Sequence, residues 1–281
     1  MQSSQDPSQY LSGQTAAITG GAGELCGKMA DELGALGVNI VIIDINEERA
    51  AQKAKSIEDA GGSAMGICAD VTDKKAMDEA ASKIEAHFGG LHILINGAGG
   101  NHPDATTSPS NEFFDLPAEA IRKVFELNCL GTIIPSQALA PLILKTIYKP
   151  DTYGNIINLS SMNAFRPLTR IPAYSAAKAA VSNFTQWLSV HMAHNYTTRL
   201  RVNAIAPGFF LTEQNRFLLI DEKTGEYTDR GKTIIAHSPS GEIGRADQLI
   251  STLLWLLAPG SDFVNGIVVP VDGGFSAFSG V

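Results

Sequence analysis

The feature that most narrows the fold is an alternation of two kinds of segment. Short runs rich in β-branched residues stand at Thr15 to Thr19, Val38 to Ile43, Ala64 to Ala69, His92 to Ile95, Asn155 to Leu159, Leu200 to Ile205 and Ile267 to Val271, mostly apolar without alternation. A strand that is apolar on both faces belongs in a parallel sheet covered on both sides. Between these runs lie longer segments whose apolar residues recur at helical spacing: Leu25 to Leu36, Glu47 to Ala60, Lys74 to Phe88, Ala118 to Tyr148, Ala173 to Ala193 and Asp247 to Leu257. Strand and helix in succession mean βαβ units, with helices on both faces of one sheet. The expectation is therefore an α/β chain, a doubly wound seven-stranded parallel sheet in one domain, which 281 residues can form as a single unit.

Several stretches break the rhythm. Phe209 to His237 holds no clear strand, and an insertion after a strand's carboxyl end sits over the ligand crevice of such a sheet, so positions 209–240 read as a substrate lid. Asn96 to Pro117 is a second long loop after a strand. Pro135 and Pro141 fall inside a helical pattern, which predicts a kink or break there. The polar opening residues predict a loose tail over 1–11, with the domain running from 12 to 281.

Charge and cysteines narrow the partners. Twenty-one Lys and Arg against 29 Asp and Glu leave a formal charge of -8, which removes the attraction that nucleic acids or anionic membranes rely on. Small molecules move ahead as partners. Cys26, Cys68 and Cys129 form no C-x-x-C and cannot all pair, which fits a cytoplasmic setting, and no uninterrupted apolar run approaches a membrane span.

The chemistry begins at the first strand, which ends in Thr19-Gly20-Gly21-Ala22-Gly23-Glu24-Leu25-Cys26-Gly27 and runs into a helix. Glycines at such a turn let backbone N–H groups approach a pyrophosphate at the positive helix end, although a purely structural tight turn reads the same way. Asp44 ends the second strand 24 residues after Gly20. That is close to the offset at which a carboxylate accepts from a ribose 2′-hydroxyl; it could also cap the helix beginning near Asn46. A carboxylate there repels a 2′-phosphate, which points to NAD over NADP. Farther on come Asp70-Val71, Asn96-Gly97-Ala98-Gly99, Asn128 and Ser160-Ser161. Tyr174 and Lys178, four apart, share a helix face, and a nearby ammonium favours the phenolate.

With these motifs in this order, nearly the whole chain from about Ser12 onward resembles the short-chain dehydrogenase/reductase family. The resemblance implies a single Rossmann-type domain that moves hydride between a nicotinamide and a carbonyl or alcohol. By position, Tyr174 resembles the general acid/base and Lys178 the residue that lowers its pKa and binds the nicotinamide ribose. Asn128 resembles the holder of a relay water, and Ser161, 13 residues before Tyr174, the polariser of the substrate oxygen. The cofactor set carried over is Gly20, Gly23, Glu24, Leu25, Asp44, Asp70, Val71, Asn96, Ala98, Gly99, Tyr174, Lys178, Pro207, Gly208, Phe210 and Thr212. One departure stands out: the family pattern T-G-x-x-x-G-x-G has glycines where this chain has Glu24 and Cys26, with Gly23 and Gly27 alongside.

Three phrases, Asn96 to Thr107, Ser160 to Arg170 and Pro207 to Arg216, narrow the resemblance to the subgroup described as D-mannonate oxidoreductase or fructuronate reductase. The implied substrate is a keto sugar acid. Independently, the loops around the crevice carry Asn101, His102, Asn163, Arg166, Arg170, Gln214, Asn215 and Arg216, an inventory for hydroxyls and a carboxylate. From these, Asn101, His102, Asn163, Arg166 and Arg216 are expected at the substrate, with Arg166 the first choice for its carboxylate. The competing readings are a gluconate-type dehydrogenase, a 3-oxoacyl-carrier-protein reductase and a non-catalytic dinucleotide sensor; the last has no need of an acid/base set. No metal site is expected from His191 and His194, which lack an acidic third ligand. Phe113, Phe114 and Trp187 read as core or subunit contacts, and the apolar segment around Trp255 as an interface of the homotetramer the family implies.

Overall fold

The computed structural model describes residues 6–148 and 152–280. Strands β1 (Thr15–Thr19), β2 (Asn39–Asp44), β3 (Ser63–Cys68), β4 (Ile93–Asn96), β5 (Gly154–Leu159), β6 (Leu200–Pro207) and β7 (Val268–Val271) form one sheet in the order β3-β2-β1-β4-β5-β6-β7. Every neighbouring pair is parallel. The helices are α1 (Ser8–Leu11), α2 (Glu24–Ala35), α3 (Glu47–Asp59), α4 (Lys74–Phe88), α5 (Ala118–Phe125), α6 (Gly131–Thr146), α7 (Pro172–Asn195), α8 (Glu213–Leu219), α9 (Asp229–His237) and α10 (Ile250–Leu257).

The two faces of the sheet carry separate cores, because successive strand residues point to opposite sides. Ile18, Ile40 and Ile95 pack with Met29 and Leu33 of α2, Ile57 of α3 and Leu253 of α10. Ala17, Val41 and Leu94 pack with Met77 and Ile84 of α4, Leu139 of α6 and Leu188 of α7. Strands β1, β4, β5 and β6 are buried throughout. The edge strands differ: β3 buries only Ala64 and Ile67 and β7 is only half-buried, since each lacks a neighbour on one side. Helix starts follow local chemistry. Asn46 caps α3 by accepting from Arg49 N at 2.9 Å, and Asp73 caps α4 by accepting from Lys75 N at 2.8 Å. Asp44 therefore does not cap α3.

Two expectations need correction. Residues 8–11 are not a loose tail: they form the turn of α1, and Leu11, 1% exposed, enters the core. Positions 1–5 of the expected tail lie outside the described residues. Pro135 and Pro141 lie inside a continuous α6, and the irregularity falls a turn earlier, as a π-turn at Glu126–Leu130. A proline ring crowds the carbonyl four residues before it, here Gly131, and the widened turn just upstream makes the room. As expected, the segment after β6 holds no strand, and its α8 and α9 close over a small core of Leu219, Ile234 and Ile243 against Phe209 and Phe275. The stretch Ala118–Thr146 is long and apolar enough to cross a membrane by composition, yet just over half of its most apolar window is buried, and Leu139 and Ile143 pack into the core shared with α4.

Candidate active site

Strand order reverses between β1 and β4, so the connections leaving their carboxyl ends run to opposite sides and leave a crevice between them. A cavity of about 650 Å³ lies there. Its first half is lined by Gly20, Gly23, Glu24, Leu25, Asp44, Asp70, Val71, Ala98 and Gly99, and its second by Ser161, Tyr174, Lys178, Pro207, Gly208, Phe210 and Thr212. Gly20 turns the chain at φ 61°, and a Cβ on it would meet the Ala98 backbone at 2.9 Å, so the turn and the loop after β4 sit in close contact. A Cβ on Gly99 would lie 2.7 Å from Asn128 Oδ1 and 3.1 Å from Lys178 Nζ. That glycine keeps the crevice open beside Asn128 and Lys178, and the cradle fits a dinucleotide.

Asp44 stands at the crevice end of β2. Its Oδ1 accepts from Asn46 N at 3.1 Å, and Ala22 N lies 3.4 Å from Oδ2. Arg49 shares this wall and donates to the Ala22 carbonyl at 3.1 Å. Arg49 is a wall residue that the motif reading passed over, and Asn46 and Cys26, read there only as a helix start and a departure from the glycine pattern, line the same wall. The offset of Arg49 from Asp44, one turn into the following helix, could have signalled it.

Asn128 lies behind Gly99 on the π-turn. Its amide donates to the Gly100 and Val124 carbonyls at 2.7 and 2.8 Å, and its Oδ1 accepts from Gly100 N at 3.1 Å. Lys178 is 4% exposed and donates from Nζ to the Leu159 carbonyl at 2.8 Å. Burial pulls its pKa down to about 8, with Cys26 acting the other way. Tyr174 follows one turn earlier on α7, its ring centroid 5.7 Å from Nζ. Burial pushes the Tyr174 phenol up, and the Ser161 hydroxyl opposes that shift. The shared helix face is as expected, with the ammonium beside the Tyr174 ring and reaching on to the Leu159 carbonyl. Both serines line the crevice, but their hydroxyls differ: Ser160 Oγ donates to the Lys178 carbonyl at 3.2 Å and lies 2.7 Å from Ser182 Oγ, whereas Ser161 Oγ accepts from Asn163 N at 3.2 Å and keeps its proton to donate.

Other sequence candidates lie elsewhere. Asn96 does not line the crevice; it is 1% exposed and its amide ties β4 to Ser136 and Asn158 at 3.0 and 2.8 Å. None of the five substrate candidates lines it either. Asn101 donates to Thr106 Oγ1 at 2.7 Å, and His102 Nδ1 accepts from Asp104 N at 3.2 Å, since short polar side chains on loops satisfy their own turns first. Asn163 is 5% exposed, its backbone N–H donating to Ser161 Oγ at 3.2 Å and its Oδ1 unpartnered. Arg166 donates from Nε to the Ser276 carbonyl at 3.0 Å and so pins the C-terminal segment. Arg216 is exposed on α8. Phe113 and Phe114, 63% and 88% exposed, are not core. No cluster of metal-ligating side chains occurs among the described residues.

The thiols follow from burial. Cys26, buried against Gly97, has its pKa pushed up to about 12, while Cys68 is exposed. Iodoacetamide at pH 8 should alkylate Cys68 and spare Cys26 until the chain is unfolded. Peptide mapping checks this, and early loss of the Cys26 thiol would contradict the packing.

A parallel sheet with a glycine turn, an acidic residue ending its second strand, and a Ser-Tyr-Lys group over one crevice defines a dinucleotide-dependent oxidoreductase. The family model for short chain dehydrogenases matches residues 14–223, and the chain belongs to that family. It is 47% identical to the uncharacterized oxidoreductase UxuB of Bacillus subtilis (strain 168), covering 97% of this chain and 98% of that one. It is 31% identical to the 5-keto-D-gluconate 5-reductase of Escherichia coli (strain K12), over 94% of this chain and 96% of the relative. A solved structure from Haemophilus influenza with bound NAD, described as a candidate D-mannonate oxidoreductase, superposes with a TM-score of 0.89 at 44% identity, covering 98% and 99% of the two chains.

Proposed function

We propose that this chain interconverts a keto sugar acid and its alcohol with NAD(H), of the D-fructuronate to D-mannonate type. The observation that carries the reading is the crevice itself, with Asp44 at one end and Ser161, Tyr174 and Lys178 at the other. The sugar-acid part draws support from likeness to the candidate D-mannonate oxidoreductase and the 5-keto-gluconate reductase. The glycine turn would hold the pyrophosphate, Asp44 the adenosine ribose, and Tyr174 with Lys178 the nicotinamide ribose. The bound nicotinamide supplies or takes the hydride at the carbonyl carbon. Tyr174 Oη gives the balancing proton to the carbonyl oxygen in reduction and takes it back in oxidation, and Ser161 Oγ hydrogen-bonds the same oxygen and fixes its position. The Lys178 ammonium stabilises the phenolate left behind. Positions 209–240 close over the substrate, and a homotetramer in the cytoplasm fits three free thiols and the exposed Trp187, Val190 and Tyr196 of α7.

A panel of hexuronates, ketogluconates and aldonates, followed by NADH absorbance, tests the substrate class; turnover confined to uncharged alcohols would reject it. Asp44 gives the cofactor prediction. A carboxylate facing a 2′-phosphate costs several kcal/mol, so kcat/KM should favour NADH over NADPH by about 10²- to 10³-fold. Asp44→Ala should narrow that preference sharply, because Arg49 already lines the same end of the crevice. Equal use of both cofactors by the unaltered enzyme would show that Asp44 does not face the ribose.

A further inference from the structure

The glycine turn departs from the family pattern at Glu24, and that side chain leaves the turn altogether. Glu24 is the first residue of α2, where the free N–H groups and the positive end of the helix dipole attract a carboxylate. The phosphates of a dinucleotide would draw on the same donors, so an acid at this position competes with them unless its charge points away. It does point away. Glu24 Oε2 accepts from Glu213 N at 2.8 Å, across 189 positions of sequence, and Glu213 is the first residue of α8 in the lid. Lys28, one turn along α2 and the nearest cation in sequence, pairs with Glu32 at 2.6 Å instead.

The bond meets a need at each end. With seven residues, α8 is too short to hold a helix in water without outside contacts. Its capping box serves Thr212 N, which donates to Asn215 Oδ1 at 2.9 Å, and the Asn215 N–H. The Glu213 N–H falls between these two and goes to Glu24. Both glutamates line the crevice, Glu24 beside Gly20 and Gly23, and Glu213 beside Phe210 and Thr212. Both are also exposed, which puts their contact at the rim. One hydrogen bond thus ties the turn that would cradle the pyrophosphate to the segment that would cover the bound molecules.

We infer that Glu24 is a positioning residue: its carboxylate latches the lid to the cofactor turn, and a bound dinucleotide leaves only when that latch opens. This rests on the dinucleotide reading of the crevice and holds whichever alcohol the enzyme takes. It also gives a reason for an acid at a turn where phosphates bind, since the charge is spent on the lid.

Two substitutions delete the bond from opposite ends. Glu24→Ala removes the acceptor. Glu213→Pro removes the donor and leaves α8 intact, because proline suits the first position of a helix and Thr212 already has the extended backbone, ψ 160°, that a following proline requires. Hydrogen exchange in the cofactor-free protein reads the latch by itself. Peptides spanning 214–219 should exchange about 3- to 10-fold faster in either variant, below the full range for a hydrogen bond to a charged group because both partners are exposed. Stopped-flow displacement of bound NADH should show dissociation accelerated by the same factor. The double variant should lose no more than either single one, since both delete one contact, and Glu24→Gln, which keeps an acceptor oxygen, should recover part of the loss. Slower NADH dissociation from Glu24→Ala would overturn the latch, because it would mean that the carboxylate faces the phosphates and repels them. Additive effects in the double variant, or unchanged exchange over 214–219, would overturn it too. An unaltered protein that does not bind NADH would overturn the dinucleotide reading and the proposal with it; the exchange comparison, made without cofactor, tells that failure from a failure of the latch.

Discussion

Tyr174→Phe is expected to lower kcat by about 10²- to 10⁴-fold or more while NADH affinity stays within about twofold. The change keeps the ring that packs beside Lys178 and removes only the oxygen that carries the proton. A hydride cannot be moved productively to a carbonyl unless a proton reaches the oxygen, and neither neighbour replaces the phenol: Ser161 can hydrogen-bond the oxygen but is far too weak an acid, and the Lys178 ammonium is held by the Leu159 carbonyl. Burial keeps Tyr174 protonated at neutral pH, its pKa pushed up rather than down. The loss should therefore be complete in the reductive direction from pH 6 to 8. Single-turnover absorbance at 340 nm, with NADH binding followed by fluorescence, measures the two quantities separately. A Phe variant working at close to the normal rate would mean that the acid/base lies elsewhere.

Lys178→Met should abolish most activity and at the same time raise the melting temperature by a few degrees. Lys178 is almost fully buried, and its pKa falls from 10.5 to about 8. That gap corresponds to roughly 3 kcal/mol of strain on the charged form. The sign follows from linkage. Below pH 8 both folded and unfolded chains hold the proton, and the folded one bears the whole penalty; between pH 8 and 10.5 only the unfolded chain keeps it, so the penalty fades as pH rises. A methionine of similar length removes the charge at every pH, at the cost of about 1 kcal/mol for the hydrogen bond to the Leu159 carbonyl, leaving a net gain of about 2 kcal/mol at pH 7. Calorimetry at pH 7 and pH 9.5 checks it: the gain must shrink at the higher pH. An unchanged or lower melting temperature at pH 7 would show that the ammonium is better accommodated than its surroundings suggest.

Such opposite signs are also where reading the chain from residues alone works best. Tyr174 and Lys178 were legible because a spacing of four on a helix is itself a spatial statement, and Asp44 because a strand of known direction delivers its last residue to one end of the sheet. The seven strands were legible from their unbroken apolar runs. What escaped depends on contacts between distant positions. Arg166 is withdrawn from the crevice by a carbonyl 110 residues later, which no local pattern announces. Asn96 follows the motif but serves the sheet, since two buried side chains from later elements take its amide. The edge character of β3 and β7 likewise depends on strand order, which composition does not encode.

The packing of Cys26 against Gly97 bears on how this crevice can change over time. A Cβ on Gly97 would fall 2.0 Å from the Cys26 sulfur and 2.9 Å from the Thr19 carbonyl. The two positions thus share one volume: where relatives of the common pattern carry glycine, this chain carries a thiol, and the space behind it is spent. Any side chain at 97 is closed to a lineage until 26 has become glycine and the Thr19 carbonyl has moved, whereas a change at 26 toward smaller residues is open at once. The order of substitutions is directional, and drift at the dinucleotide turn must come before drift in the loop after β4.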